Sequence, residues 1–101
     1  MKVIAVDFDG TLCESRWPQI GEPKRDVIAR LKAEQAAGAK VILWTCRTGK
    51  LLQDAVEFCE TLGIHPDAIN ENLPERIAAY GGESQKVSAD EYWDDKAVLI
   101  R

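Results

Sequence analysis

Residues 3–11 read VIAVDFDGT, and this stretch decides the fold. The run Val3-Ile4-Ala5-Val6 is short, continuous and rich in β-branched side chains, as a strand buried on both faces requires. It gives way at once to Asp7, Asp9 and Gly10, so the chain leaves the sheet through an acidic loop. A strand over Lys2–Phe8 is expected, with Asp7 at its carboxyl end, where parallel sheets carry their working groups.

Working outward, Cys13–Pro23 (CESRWPQIGEP) contains two prolines and a glycine and reads as a loop or small hairpin over that strand end. Lys24–Ala37 places Val27, Ile28 and Leu31 on one helical face, and Gly38 stops the helix. Lys40–Thr45 holds the apolar run VILW and predicts a second buried strand. Leu51, Leu52, Ala55, Val56, Cys59 and Leu62 recur at helical spacing up to Gly63, which predicts a second helix. A short strand at Asp67–Asn70 follows, then a brief helix in LPERIAAY, opened by Pro74 and closed by Gly81-Gly82. Lys86–Asp94 predicts a strand ending at Asp94-Asp95, and Ala97–Ile100 a last short one. Glu91 is out of place in a buried strand and suits a polar edge strand. Strands alternating with helices imply a three-layer α/β/α sandwich around a mostly parallel, Rossmann-like sheet.

The chain has 101 residues, enough for one modest core, so a single domain over 1–101 is expected. With 46% hydrophobic and 30% charged residues it is neither disordered nor fibrous in composition. A formal charge of −4 offers no general attraction to nucleic acid or to an anionic membrane. Acids arrive too early for a signal peptide, and no stretch suffices to span a bilayer. Three cysteines without CxxC spacing, Cys13, Cys46 and Cys59, argue against a disulfide framework or a zinc site and for a reducing cytoplasm. Cys46 reads as a small buried residue.

Chemistry concentrates in DFDGT. Asp7 and Asp9 flank one residue at a strand end, so one can serve as nucleophile while the other handles a proton. A hard divalent cation would offset their repulsion and that of an anionic substrate. By itself the string is also a common surface turn. Thr45 at the end of the second strand, Lys86, and Asp94-Asp95 at the end of a later strand can converge on the same rim, which favours a site.

Taken together, VDFDGT, LWTCR, Lys86 and YWDD resemble, in order and across nearly the whole chain, the four motifs of the haloacid dehalogenase superfamily. Only Cys13–Pro23 separates the first motif from the first helix, so the resemblance is to compact members without a large cap domain. It implies that Asp7 attacks phosphorus to form an aspartyl-phosphate, and that Asp9 protonates the leaving group and then activates water. It implies that Thr45 hydrogen-bonds a phosphoryl oxygen and that Lys86 orients Asp7 and neutralises developing charge. Magnesium would bind the Asp7 carboxylate, the Asp9 carbonyl and a late acid, Asp95 with Asp94 in support or the reverse order.

Lys50 and Lys96 rival Lys86. Arg47 either forks onto a substrate phosphate or carboxylate or faces water at a helix entry. Asn70 and Asn72 read as capping residues, and Trp17, Tyr92 and Trp93 as packing. The substrate class expected is a phosphorylated small molecule, and a second subunit could cover a site that lacks a cap. A phosphoaccepting receiver domain combines similar groups but would carry its acceptor after a later strand. A noncatalytic module on the same fold is the other alternative.

Overall fold

The computed structural model describes residues 1–101. Four strands, β1 (Val3–Val6), β4 (Lys40–Leu43), β5 (Ala68–Ile69) and β6 (Glu91–Trp93), form one sheet in the order β5-β4-β1-β6. Every pairing in it is parallel, with Val6 opposite Leu43 on one side and opposite Trp93 on the other. Between β1 and the first helix, β2 (Cys13–Arg16) and β3 (Gln19–Pro23) make a separate antiparallel hairpin. The helices are α1 (Arg25–Ala36), α2 (Gly49–Thr61) and α3 (Pro74–Tyr80).

The central strand is buried at all four positions, as its uninterrupted apolar run requires. Its alternate side chains then serve two layers. Ile4 and Val6, with Val41 and Leu43, pack against Ile28 and Leu31 of α1 and Ala55 and Cys59 of α2. Val3, Ala5 and Ile42 face the other way, onto Leu73 at the head of α3 and Val87 of the following loop. That second cover is thin, since α3 buries none of its own residues. There is no cap domain, and the fold is the expected small α/β/α type.

Two late strands differ from expectation. Of Lys86–Asp94 only Glu91–Trp93 forms a strand, although the Asp90 N–H also donates to the Val3 carbonyl at 2.7 Å, because the backbone of Val87 and Ser88 is engaged elsewhere. The Ser88 N–H donates to Asn72 Oδ1 at 2.6 Å, and the Val87 carbonyl accepts from the Tyr92 hydroxyl at 2.6 Å. Ala97–Ile100 forms no strand and leaves Val98, Leu99 and Ile100 exposed, since a strand without a partner has no ladder to stabilise it. Glu91 is explained by its place on the sheet edge: its carboxylate takes Lys2 Nζ at 3.0 Å and the Trp93 indole N–H at 3.0 Å. No helix is long and apolar enough to cross a membrane.

Candidate active site

The chain runs outward from β1 through β4 to β5 and then returns to the opposite side of β1 as β6. The strand order reverses between β1 and β6, and the carboxyl ends at such a reversal frame a crevice. The Asp7 N–H donates to the Trp93 carbonyl at 2.9 Å, prolonging the β1–β6 ladder by one residue. Asp94 and Asp95 come directly after that carbonyl, so three acids meet there: carboxylate oxygens of Asp7, Asp94 and Asp95 lie within 4.8 Å of one another.

Their proximity has an electrostatic consequence. Partial burial, the negative charge of Asp94 and, less strongly, those of Asp95 and Asp9 push the Asp7 carboxyl up to about 6, against the opposing hydrogen bond from the Phe8 backbone. Both late acids therefore reach Asp7, and Asp94 is the one that perturbs it more. Asp95 is fixed by its N–H, which donates to Thr11 Oγ1 at 3.1 Å. Its carboxylate fills the space where a side chain on residue 10 would go: a Cβ there would sit 2.4 Å from Asp95 Oδ2, and Gly10 has φ +89°. The glycine of DFDG thus serves both the turn and the approach of Asp95. Asp94 Oδ1 accepts the Lys96 N–H at 2.9 Å.

Asp9 stands apart from this cluster. Both its oxygens are taken by Arg47, through Nε at 2.8 Å and Nη2 at 2.7 Å. Arg47 is 0% exposed. Its remaining reach goes to the hairpin, Nη1 donating to the Pro18 carbonyl and Nη2 to the Gln19 carbonyl, each at 3.2 Å. This corrects both readings of Arg47 made from sequence. It does not face water, and four of its five side-chain N–H groups are committed inside the protein, which leaves no fork for substrate.

Thr45 lies one strand away from Asp7 on the other side. The Trp44 N–H donates to the Val6 carbonyl at 2.9 Å, which carries the β1–β4 ladder to the rim. The Thr45 N–H is held by Asn70 Oδ1 at 2.8 Å, and Thr45 Oγ1 accepts the Arg47 N–H at 3.1 Å. Its own O–H thus remains available to donate to an anion. Neither asparagine caps α3, whose cap position is Leu73. Asn70, at φ +54°, positions Thr45, and Asn72 is buried and organises the loop that follows α3.

Lys86 departs from its expected place. It sits exposed on that loop with Nζ 5.9 Å from the Tyr92 ring centroid, and it has no hydrogen bond or ion pair with Asp7. Lys50 is paired with Asp54 at 2.8 Å along its own helix. The lysine that does touch the acidic loop is Lys24, whose Nζ donates to the Gly10 carbonyl at 2.6 Å. Sequence reasoning passed over it as a helix-entry residue. The available signal was its place at the end of the hairpin, where the chain returns to the rim. Cys46 is exposed rather than buried, because it occupies the β4–α2 loop and not the strand. Trp17 is also exposed, at the hairpin tip.

Beside the acids a groove of about 350 Å³ is bordered by Gly10, Thr11, Lys24, Arg30, Asp94 and Asp95. Three carboxylates, a hydroxyl donor and nearby lysine and arginine side chains form a site suited to a hard cation and an oxyanion.

No protein-family model matches the chain, and no curated protein does. Among solved structures, a conserved protein from Bacteroides thetaiotaomicron is 42% identical to it, with a TM-score of 0.84. The likeness covers 95% of this chain and 77% of that one.

Proposed function

We propose that this chain, which belongs to one family with the conserved Bacteroides thetaiotaomicron protein, is a magnesium-dependent phosphohydrolase acting on small phosphomonoesters. The observation that carries the reading is the meeting of Asp7, Asp94 and Asp95 within 4.8 Å at the strand reversal, with Asp7 partly desolvated. An all-oxygen donor set of this kind fits magnesium, which takes one or two carboxylates directly and keeps several waters. Asp7, Asp94 and Asp95, with the Asp9 carbonyl, would hold the ion. When bound, it would screen the carboxylates from one another and from the phosphoryl oxygens. The order of VDFDGT, Thr45, Lys86 and Asp94-Asp95, together with the lack of a cap, also supports the resemblance to compact haloacid dehalogenase-type phosphatases.

In this reading an Asp7 oxygen attacks phosphorus, the P–O bond to the leaving group breaks, and Asp9 gives that oxygen its proton. Asp9 then takes a proton from water as the water attacks the Asp7-bound phosphoryl group, releasing phosphate and restoring Asp7. Thr45 donates its hydroxyl to a phosphoryl oxygen. Lys86 is the lysine the resemblance assigns to neutralising charge, and Lys24 holds the Gly10 carbonyl of the acidic loop. The three free cysteines fit a reducing cytoplasm as the place of action.

The test is turnover of a panel of phosphate esters with and without magnesium, in the wild type, Asp7→Asn and Asp9→Asn. Turnover should require the metal, vanish in Asp7→Asn and fall by roughly 10²- to 10⁴-fold in Asp9→Asn. Full activity in Asp7→Asn would exclude it as nucleophile, and magnesium binding without turnover of any ester would point to a noncatalytic module.

A further inference from the structure

A fully buried arginine whose side-chain bonds divide between a carboxylate and the tip of a hairpin links those two parts mechanically. Arg47 is such a residue. Its fork fixes both oxygens of Asp9, and the same guanidinium holds the carbonyls of Pro18 and Gln19. The Trp17 ring covers it, with the guanidinium carbon 5.1 Å from the ring centroid, and Phe8 lies 5.2 Å away. On the other side, the Arg47 N–H donates to Thr45 Oγ1. The single residue therefore connects the β1 loop, the β4 loop and the β2–β3 hairpin.

We propose that Arg47 is a positioning residue that couples the orientation of Asp9 to the β2–β3 hairpin. This rests on the phosphohydrolase reading above for its catalytic consequence. With both carboxylate oxygens accepting from the guanidinium, Asp9 is held in one orientation. The hairpin is what holds Arg47 in place: two of the guanidinium's four hydrogen bonds go to backbone carbonyls of a segment that otherwise lies outside the main sheet. A displacement of the hairpin tip would then be felt at Asp9, and with it the delivery of its proton. The groove acids Asp94 and Asp95 make no hydrogen bond to Arg47 and are not part of this linkage.

Two measurements test it. The first compares an alkyl phosphate, whose leaving oxygen needs a proton, with 2,4-dinitrophenyl phosphate, whose leaving group departs without one. Arg47→Lys keeps the charge but cannot form the fork, and it should lose about 10- to 100-fold more turnover on the alkyl ester than on the aryl one. Equal losses on both esters, or none, would overturn the positioning role while leaving the phosphohydrolase reading standing. If the wild type turns over neither ester, it is that reading which fails. The second measurement is independent of turnover. Hydrogen exchange of the hairpin amides over 13–23 should accelerate about tenfold or more in both Asp9→Asn and Arg47→Gln, with α2 amides unchanged. Hairpin protection equal to wild type in Asp9→Asn would overturn the coupling, even if Arg47→Gln cannot be folded.

Discussion

Asp7 occupies a position that costs stability once it is ionised. Partial burial and the neighbouring charge of Asp94 raise its carboxyl from an ordinary 3.8 to about 6, so the folded protein binds this proton more tightly than the unfolded chain does. Stability linked to Asp7 is therefore present at low pH, declines between about pH 4 and 6 as the unfolded and then the folded carboxyl ionises, and stays lower above that window. Asp7→Asn removes the charge without changing the shape. In metal-free buffer it should unfold at higher urea than the wild type at pH 8, by about 1–2 kcal/mol after allowance for solvent screening. At about pH 3, below both values, the two should nearly coincide. A difference that does not change with pH would mean that the three acids are not acting on one another.

The elements that could be read from the residues were those whose information is local. The run VIAV, the helical recurrence from Leu51 to Leu62 and the Pro74–Gly81 bracket each carry their own period or punctuation, and each became the expected element. Asp7, Thr45 and Asp94-Asp95 were legible for the same reason, since each ends a strand or follows one. The parts that failed depend on partners far along the chain. Whether 86–90 and 97–100 are strands is decided by what their backbone groups find, and in the first case they find Asn72 and Tyr92 side chains. The burial of Arg47 depends equally on Asp9 and on two hairpin carbonyls, which no spacing rule links. Asn72 is the clearest element-scale case: buried, it accepts the Ser88 N–H and donates to Glu83 Oε1 at 2.8 Å, stapling the loop that carries Lys86 to the head of α3. Asn72→Ala strands these groups and should cost about 1–3 kcal/mol in urea unfolding. Its loss should also loosen amide protection over 83–90 before that of β4. Uniform loosening of the whole chain would instead assign Asn72 to the general core.

At the scale of the whole molecule, the site joins a strong part of the fold to a weak one. β1 is buried on both faces and paired on both sides, whereas β6 is a three-residue edge strand followed by an exposed tail. Asp7 comes from the first and Asp94 and Asp95 from the second, so an ion held by all three ties the edge to the centre. A ligand that binds the folded state alone stabilises it in proportion to its excess over Kd, by about 2.7 kcal/mol at a hundredfold excess. For a domain of this size each kcal/mol moves Tm by about 4–8 °C. Magnesium at a hundredfold excess over Kd should therefore raise Tm by about 10–20 °C at pH 8, and the gain should be concentrated in amide protection of β6. Replacing Asp94 and Asp95 together by Asn should abolish that gain while lifting the metal-free Tm, because the repulsion on Asp7 is relieved. A magnesium-dependent rise that survives the double replacement would place the ion elsewhere on this acidic chain and detach the metal from Asp7.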